Sequence, residues 1–254
     1  MSVTSLDVSG RECLSFTVSG PWAHFRRIDT TTEKLTYRII PRTTVAGLLA
    51  AVLGLPRNSY YDLFSQDSSA MAISPQCQLE TQSIPILTLP TTASDIKTAD
   101  GVSGKTVVDP ETIAEERKRR TFEYIVDPSY RIDLVLDDDD KFEELTEYLQ
   151  SGRAVYTPAL GKSECLANFS EVKRTTVADG GDLQSITSTV PEEHVVPSPG
   201  QPLRMERTPA YMQATDGGRK TTGFISYAYP TEQHQLSAPD ADVMTVDGRS
   251  VCFI

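Results

Sequence analysis

The sequence predicts a mixed α+β protein. Three observations predict it: segments in which apolar and polar residues alternate, two segments in which apolar residues recur at helical spacing, and the order in which they follow one another. That order is strand, helix, strand, strand, helix, strand, the β-α-β-β-α-β arrangement. With 254 residues, 39% hydrophobic and 23% charged, the chain can bury a real core, which excludes a disordered protein.

The elements follow in order. ECLSFTVSG, Glu12 to Gly20, sets Leu14, Phe16 and Val18 on one side and Ser15 and Thr17 on the other, a half-buried strand. PRTTVAGLLAAVLGLPR, Pro41 to Arg57, places Val45, Leu48, Leu49, Val52 and Leu53 on one helical face. Thr43 or Thr44 is the expected cap, and Gly54 and Pro56 are the stop. Its other positions, Ala46, Gly47, Ala50 and Ala51, are small, and it is entered through Arg42-Thr43-Thr44 instead of acidic residues. SYYDLF reads as a short helix. SAMAIS and the segment Cys77 to Pro90 read as strands, the second broken at Pro85.

From Thr91 to about Arg117 the chain is polar and without apolar period, a long insertion expected to be mobile unless something binds it. RRTFEYIV and YRIDLVL alternate again, two strands joined by a DPS turn. DDDDKFEELTEYLQSG is a helix with the stripe Phe142, Leu145, Tyr148 and Leu149 and an acidic start that suits the macrodipole. AVYTPALGKSECLANF reads as strand, glycine turn and short apolar segment. GFISYAYP and a terminal hairpin, VMTVDGRSVCF with its Asp247-Gly248 turn, close the chain. The expected division is 1–90, 91–118, 119–180 and 181–254.

A net charge of −11 argues against a nucleic-acid binder at face value. The charge is segregated, however: acids gather in DDDDKFEE and along the C-terminal part, and bases in HFRR, YRIIPR and EERKRR. Abundant Asp, Ser and Thr, with Arg favoured over Lys, fit a salt-rich, halophilic cytoplasm. There the Debye length falls to roughly 3 Å and a nucleic acid is held by contact instead of long-range attraction. The four cysteines, Cys13, Cys77, Cys165 and Cys252, form no C-x-x-C pair and only three histidines exist, so reduced thiols are expected and no zinc. Consecutive acids in DDDD diverge and do not converge on a metal, and Lys162 in LGKS lacks the spacing of a nucleotide-triphosphate loop. No metal and no cofactor are expected. The start of the chain has no apolar leader, and no segment is long and apolar enough to span a bilayer, so the expected location is the cytoplasm without a membrane partner.

GPWAHFRR, LTYRIIPRTTVAGLLAAVLGL, RRTFEYIVDPSYRI and LGKSECLANF, in this order and spacing, resemble the Cas-five family of CRISPR-associated proteins, in the RAMP superfamily of ferredoxin-like RNA binders. The type I-B branch is nearest. The resemblance implies a ferredoxin-like, RRM-like palm, a thumb over 91–118 and a C-terminal β-rich extension. It also implies a place at one end of the Cascade interference complex, gripping the repeat-derived 5′ handle of the guide RNA for antiviral defence. Backbone and large subunits would be its partners, and target DNA would be met only through the complex.

Mapped residue by residue, RNA contacts are expected at Arg26, Tyr37, Arg38, Arg42, Thr43, Thr44, Arg119, Arg120 and Lys162. A helix N-terminus carries unpaired N–H groups, so PRTT would hold a phosphate clamped by Arg42, and the bare helix face would let other backbone come close. Trp22, Phe25 and Tyr37 are the expected stacking platforms.

One branch of that family cleaves repeat RNA without metal. The chemistry takes a base for a 2′-OH, an acid for the leaving 5′-oxygen and a cation for the phosphate. Tyr37 stands at that branch's tyrosine position, but ERKRRTFEY contains no histidine, and arginine is a poor proton shuttle at neutral pH. The reading is therefore a non-catalytic guide-RNA-binding subunit. The alternative is a metal-independent endoribonuclease using Tyr37 and His24, and a third reading is a protein-interaction module without RNA.

Overall fold

The structure, a computed structural model, describes residues 5–27, 33–88, 117–197, 202–216, 218–231 and 235–254, and the backbone of 98–99 and 107–108. Its strands are β1 (Glu12–Ser19), β2 (Trp22–Ala23), β3 (Phe25–Arg26), β4 (Thr36–Tyr37), β5 (Ser69–Pro75), β6 (Thr81–Thr88), β7 (Thr98–Ala99), β8 (Val107–Val108) and β9 (Lys118–Val126). They continue with β10 (Ser129–Leu136), β11 (Asn168–Thr176), β12 (Ala178–Asp179), β13 (Val190–Pro191), β14 (Leu203–Thr215), β15 (Gly218–Pro230), β16 (Met244–Val246) and β17 (Arg249–Val251). The helices are α1 (Arg42–Leu53) and α2 (Asp139–Gln150).

The palm is a four-stranded antiparallel sheet in the order β11-β1-β10-β5, with α1 between β1 and β5 in the chain and α2 between β10 and β11. This is the expected ferredoxin-like β-α-β-β-α-β order. Alternation decides which face the helices cover. Leu14, Phe16 and Val18 lie opposite Leu134, Ile132 and Tyr130, all fully buried under Val45, Leu49 and Val52 of α1 and Phe142, Leu145 and Leu149 of α2.

The other palm face carries Cys13, Ala70, Ala72 and Val135, and Val246, Val251 and Phe253 of the C-terminal segment cover it. Fully buried Asp133 sits among them. It accepts from Arg249 at 3.0 and 2.7 Å and from Ser15, while Arg131 donates to Ser15 at 2.9 Å. A buried carboxylate needs such pairing, so Arg249 pins the terminal hairpin to the palm.

The second sheet, β2-β9-β6, is built on a ladder running from Thr81 opposite Ile125 to Thr88 opposite Lys118. Several expectations change here. Pro85 does not break β6, because β6 is an edge strand and a missing N–H costs nothing on an open edge. The two strands expected on either side of DPS are present, and they lie in different sheets. Asp127, at φ +45, carries the chain from one sheet to the other. SYYDLF is a run of turns. The segment after Gly152 is a loop with a single bridge, Ala159 to Leu166, and the fourth palm strand starts at Asn168.

GFISYAYP is half of a longer hairpin, β14–β15, whose first strand the sequence did not reveal. The terminal hairpin is as expected, with Asp247 and Gly248 at φ +47 and +73. α1 ends at Gly54, at φ +70, as expected, but its N-cap is Pro41 with no side-chain cap, not Thr43 or Thr44. The insertion expected over 91–118 lies outside the described residues apart from the β7–β8 backbone pair and residues 117–118. Among the described residues no helix is long and apolar enough to cross a membrane.

Candidate nucleic-acid interface

β9 exposes two different faces. Period-two alternation puts Arg120, Phe122 and Tyr124 on one and Arg119, Thr121, Glu123 and Ile125 on the other. On the first face the His24 ring lies edge-on to Phe122 at 5.5 Å and tilted against Tyr124 at 5.6 Å, and Trp22 meets Tyr124 edge-on at 6.1 Å. Lys162 stands 4.2 Å above the Phe122 ring, 2.9 Å from the Tyr124 hydroxyl and 2.5 Å from Glu164.

Short loop geometry delivers Lys162 there. The His24 N–H donates to Leu160 O, and Leu160 N–H to Cys165 O, which closes the loop onto the β2–β3 corner. Gly161 makes this possible: at φ +93, a Cβ would stand 2.1 Å from the His24 carbonyl oxygen.

The same face concentrates positive charge. The Lys34 ammonium is pushed below its ordinary pKa by desolvation and by Arg26 and Arg120 beside it. His24 is also pushed down, first by burial and then by Lys162 and Arg26, against the opposing bond from its Nδ1 to the Glu123 carbonyl. Burial opposes the charge on Lys162, but its bonds to Glu164 and Tyr124 outweigh it and raise its pKa. Burial raises Tyr124, so this pair is a neutral phenol beside an ammonium. Among the described residues neither Arg26 nor Arg120 has an ion-pair partner.

Of the residues picked from sequence, the fold brings Arg26, Arg120 and Lys162 together, with His24. Arg42 is a correction. It is only 1% exposed, and its guanidinium donates to the carbonyls of Ile254, Phe64, Ser65 and Ser69 and to the Ser69 hydroxyl, with the Tyr211 ring 4.8 Å away. A side chain so enclosed cannot clamp a phosphate. The bare helix face is likewise filled by protein: Ala46 and Ala50 are buried, and a Cβ on Gly47 would stand 3.2 Å from the Tyr60 hydroxyl.

Thr43 and Thr44 are half-buried on α1, not on β9 or the strands beside it, and the Thr44 N–H goes to Pro41 O. Tyr37 is buried opposite Phe25, under the Arg27 guanidinium, and Phe25 packs on Tyr130, so neither ring is an open stacking platform. Arg38 is answered by Glu123 at 3.2 Å, and Arg119 is exposed on the opposite face of β9. Lys34, Phe122, Tyr124 and Glu164 were missed. The alternation Arg120-Phe122-Tyr124 was visible, but its partners come from three distant segments.

A crystal structure of a CRISPR protein from Archaeoglobus fulgidus is similar at 13% identity, covering 94% of this chain and 98% of that one, with a TM-score of 0.57. A chain of a CRISPR RNA-guided surveillance complex is similar at 13% identity over 89% of this chain and 91% of that one, with a TM-score of 0.50. At such identity the likeness is one of fold. No curated protein matches the chain. The family described as CRISPR-associated protein (Cas_Cas5) matches residues 13–222, from the first palm strand through most of the long hairpin, and the chain belongs to that family.

Proposed function

We propose that this chain is the guide-RNA-gripping subunit of a type I-B-like Cascade complex, holding the repeat-derived 5′ handle without cutting it. The carrying observation is the β9 face, where Lys34, bridged to Phe122, lies close enough to Arg26 and Arg120 to feel both charges, and neither arginine has an ion-pair partner among the described residues. Like charges held together are stabilised by an anion, and the phosphates of a single strand supply a row of them. Half-buried Trp22 and Phe122, beside Lys162, offer rings to unstacked bases. Backbone and large subunits of the complex are the proposed protein partners, and target DNA is reached through them, in the cytoplasm, as part of antiviral defence.

A second reading, metal-independent cleavage of repeat RNA, draws on the approach of His24 to Lys162 and Tyr124. Two features weigh against it. His24 is 2% exposed with a shielded, unpartnered Nε2, and the Tyr37 ring is buried. Neither group reaches a ribose 2′-OH as the face stands. The test is a labelled repeat RNA with the purified protein in potassium-rich buffer, with EDTA or Mg²⁺. Retarded, intact RNA in both is expected. Cleavage at one position in EDTA that His24→Ala abolishes would overturn the non-catalytic reading.

A further inference from the structure

Two adjoining cavities lie away from the basic β9 face, between the link from β5 to β6 and the base of the β14–β15 hairpin. One, of about 250 Å³, is lined by Gln78 and Arg204, and the other, of about 330 Å³, by Gln76 and Arg249. Cys77 and Pro230 line both, so the two share a wall and are taken together as one groove. We propose that this groove is a second binding site, which takes a single nucleotide, either free or as one splayed-out unit of an RNA chain.

Size, lining and charge point the same way. The volumes sit near the lower end of small-ligand pockets, which run from roughly 300 Å³ upward, so the groove holds one nucleotide and not a larger cofactor. Gln78 presents a donor and an acceptor side by side, the pattern that matches the edge of a base, whereas the Gln76 amide donates to the carbonyls of Ser74 and Pro75. Leu79 and Leu203 supply apolar wall for a ring. Arg204 is exposed, bonds the Tyr229 hydroxyl and has no ion pair among the described residues, so its remaining guanidinium donors can meet a phosphate. Arg249 spends its terminal nitrogens on Asp133 and Ser15 and is a fixed, oriented part of the floor. In a chain with 35 acidic residues, no carboxylate lines either cavity among the described residues.

The groove lies near the Val126 end of β9. The Cys77 thiol lies 3.6 Å from the carbonyl of Asp127, just past the end of β9. An RNA strand continuing along β9 beyond Val126 would reach the groove. As an RNA subsite the groove rests on the proposed function; as a nucleotide site it does not.

Cys77 itself provides the assay. It is half-buried, whereas Cys13, Cys165 and Cys252 are buried, so a maleimide at pH 8 labels Cys77 first. The labelling rate is followed by mass spectrometry of the native protein alone, with uridine or adenosine monophosphate, and with repeat RNA. Ligand at ten times its dissociation constant should slow labelling about tenfold by mass action. Arg204→Ala should abolish the protection while Cys77 still labels at the unliganded rate. Arg26→Ala, distant from the groove, should keep protection by the mononucleotide while weakening the RNA shift.

Protection by RNA alone identifies the site as an RNA subsite, and protection by the mononucleotide identifies it as a nucleotide site. Unchanged labelling with every ligand overturns the groove. The gel shift measured on the same samples decides separately whether the RNA-binding reading stands.

Discussion

Arg42 separates two accounts of the segment PRTT, and replacing it with Met tests them. Met keeps much of the volume and removes the donors. The three shorter contacts, to Ser69 O at 2.9 Å, Ser69 Oγ at 2.7 Å and Ile254 O at 3.2 Å, are lost. At the low end such a loss costs about 1 kcal/mol each, so roughly 3 kcal/mol in all. Relief from burying an unpaired guanidinium, whose pKa desolvation already lowers, offsets part of this, and the lost packing on Tyr211 adds to it. For a chain of this size roughly 3 kcal/mol corresponds to a fall in Tm of about 6–12 °C. Urea and thermal unfolding read the stability, and a gel shift at low temperature reads RNA affinity of the folded fraction, which should stay within about twofold of wild type. Unchanged stability with RNA affinity down tenfold would refute the structural role and restore Arg42 as a phosphate ligand.

Other predictions follow the same residues. Gly161→Ala should destabilise by about 2–4 kcal/mol, because the new Cβ meets main-chain oxygen that no rotamer change can move, and RNA affinity should fall as Lys162 leaves the face; a Tm equal to wild type would contradict it. Arg26→Ala and Arg120→Ala should each weaken RNA binding by about 1–3 kcal/mol and lower the salt slope by about 0.7 per lost phosphate contact; an unchanged slope would remove that residue from the interface. Asp133→Ala should cost about 3–5 kcal/mol in urea unfolding, since it removes the ion-pair partner of Arg249 on the palm face; a cost below 1 kcal/mol would mean that the terminal hairpin is held by its apolar contacts alone.

The pH dependence has a sign set by His24. Its folded pKa lies below the ordinary value of 6.5, so its contribution is fully present above that value and is lost as the pH falls through the folded pKa. Glu206 works oppositely. Burial raises its carboxyl, so its contribution is present below the ordinary 4.5 and is lost as the pH rises through the folded value. Both wild type and His24→Gln carry Glu206, and the difference isolates the histidine: wild type should lose more stability between pH 7 and 5. Equal losses, read as urea midpoints, would contradict the buried neutral imidazole.

Local signals announced the palm well. Leu14-Phe16-Val18 and the stripe of α1 each have one buried face, and a period fixes that face without knowledge of the partner. The Asp247-Gly248 hairpin was legible for a similar reason, since its turn demands positive φ at both residues. What was illegible depended on long-range pairing. RRTFEYIV and YRIDLVL were legible as strands, but that the short turn between them carries the chain from one sheet to another was not. Arg42 was misread because a basic residue at a helix start is indistinguishable in sequence from one turned inward onto carbonyls contributed by Phe64, Ser65, Ser69 and Ile254. The β9 face needed His24, Lys34 and Lys162 from three separate segments, and only the fold makes them neighbours of Phe122.

The central claim is that RNA lies on that face, and ultraviolet crosslinking of repeat RNA to the intact protein, with crosslinked peptides identified by mass spectrometry, addresses it most directly. Crosslinks should fall on Trp22, on Phe122 in β9 and on Lys162, and should diminish in the Arg26→Ala Arg120→Ala double variant. Crosslinks confined to α1 or to the exposed face of the β14–β15 hairpin, with none on β9, would contradict the account.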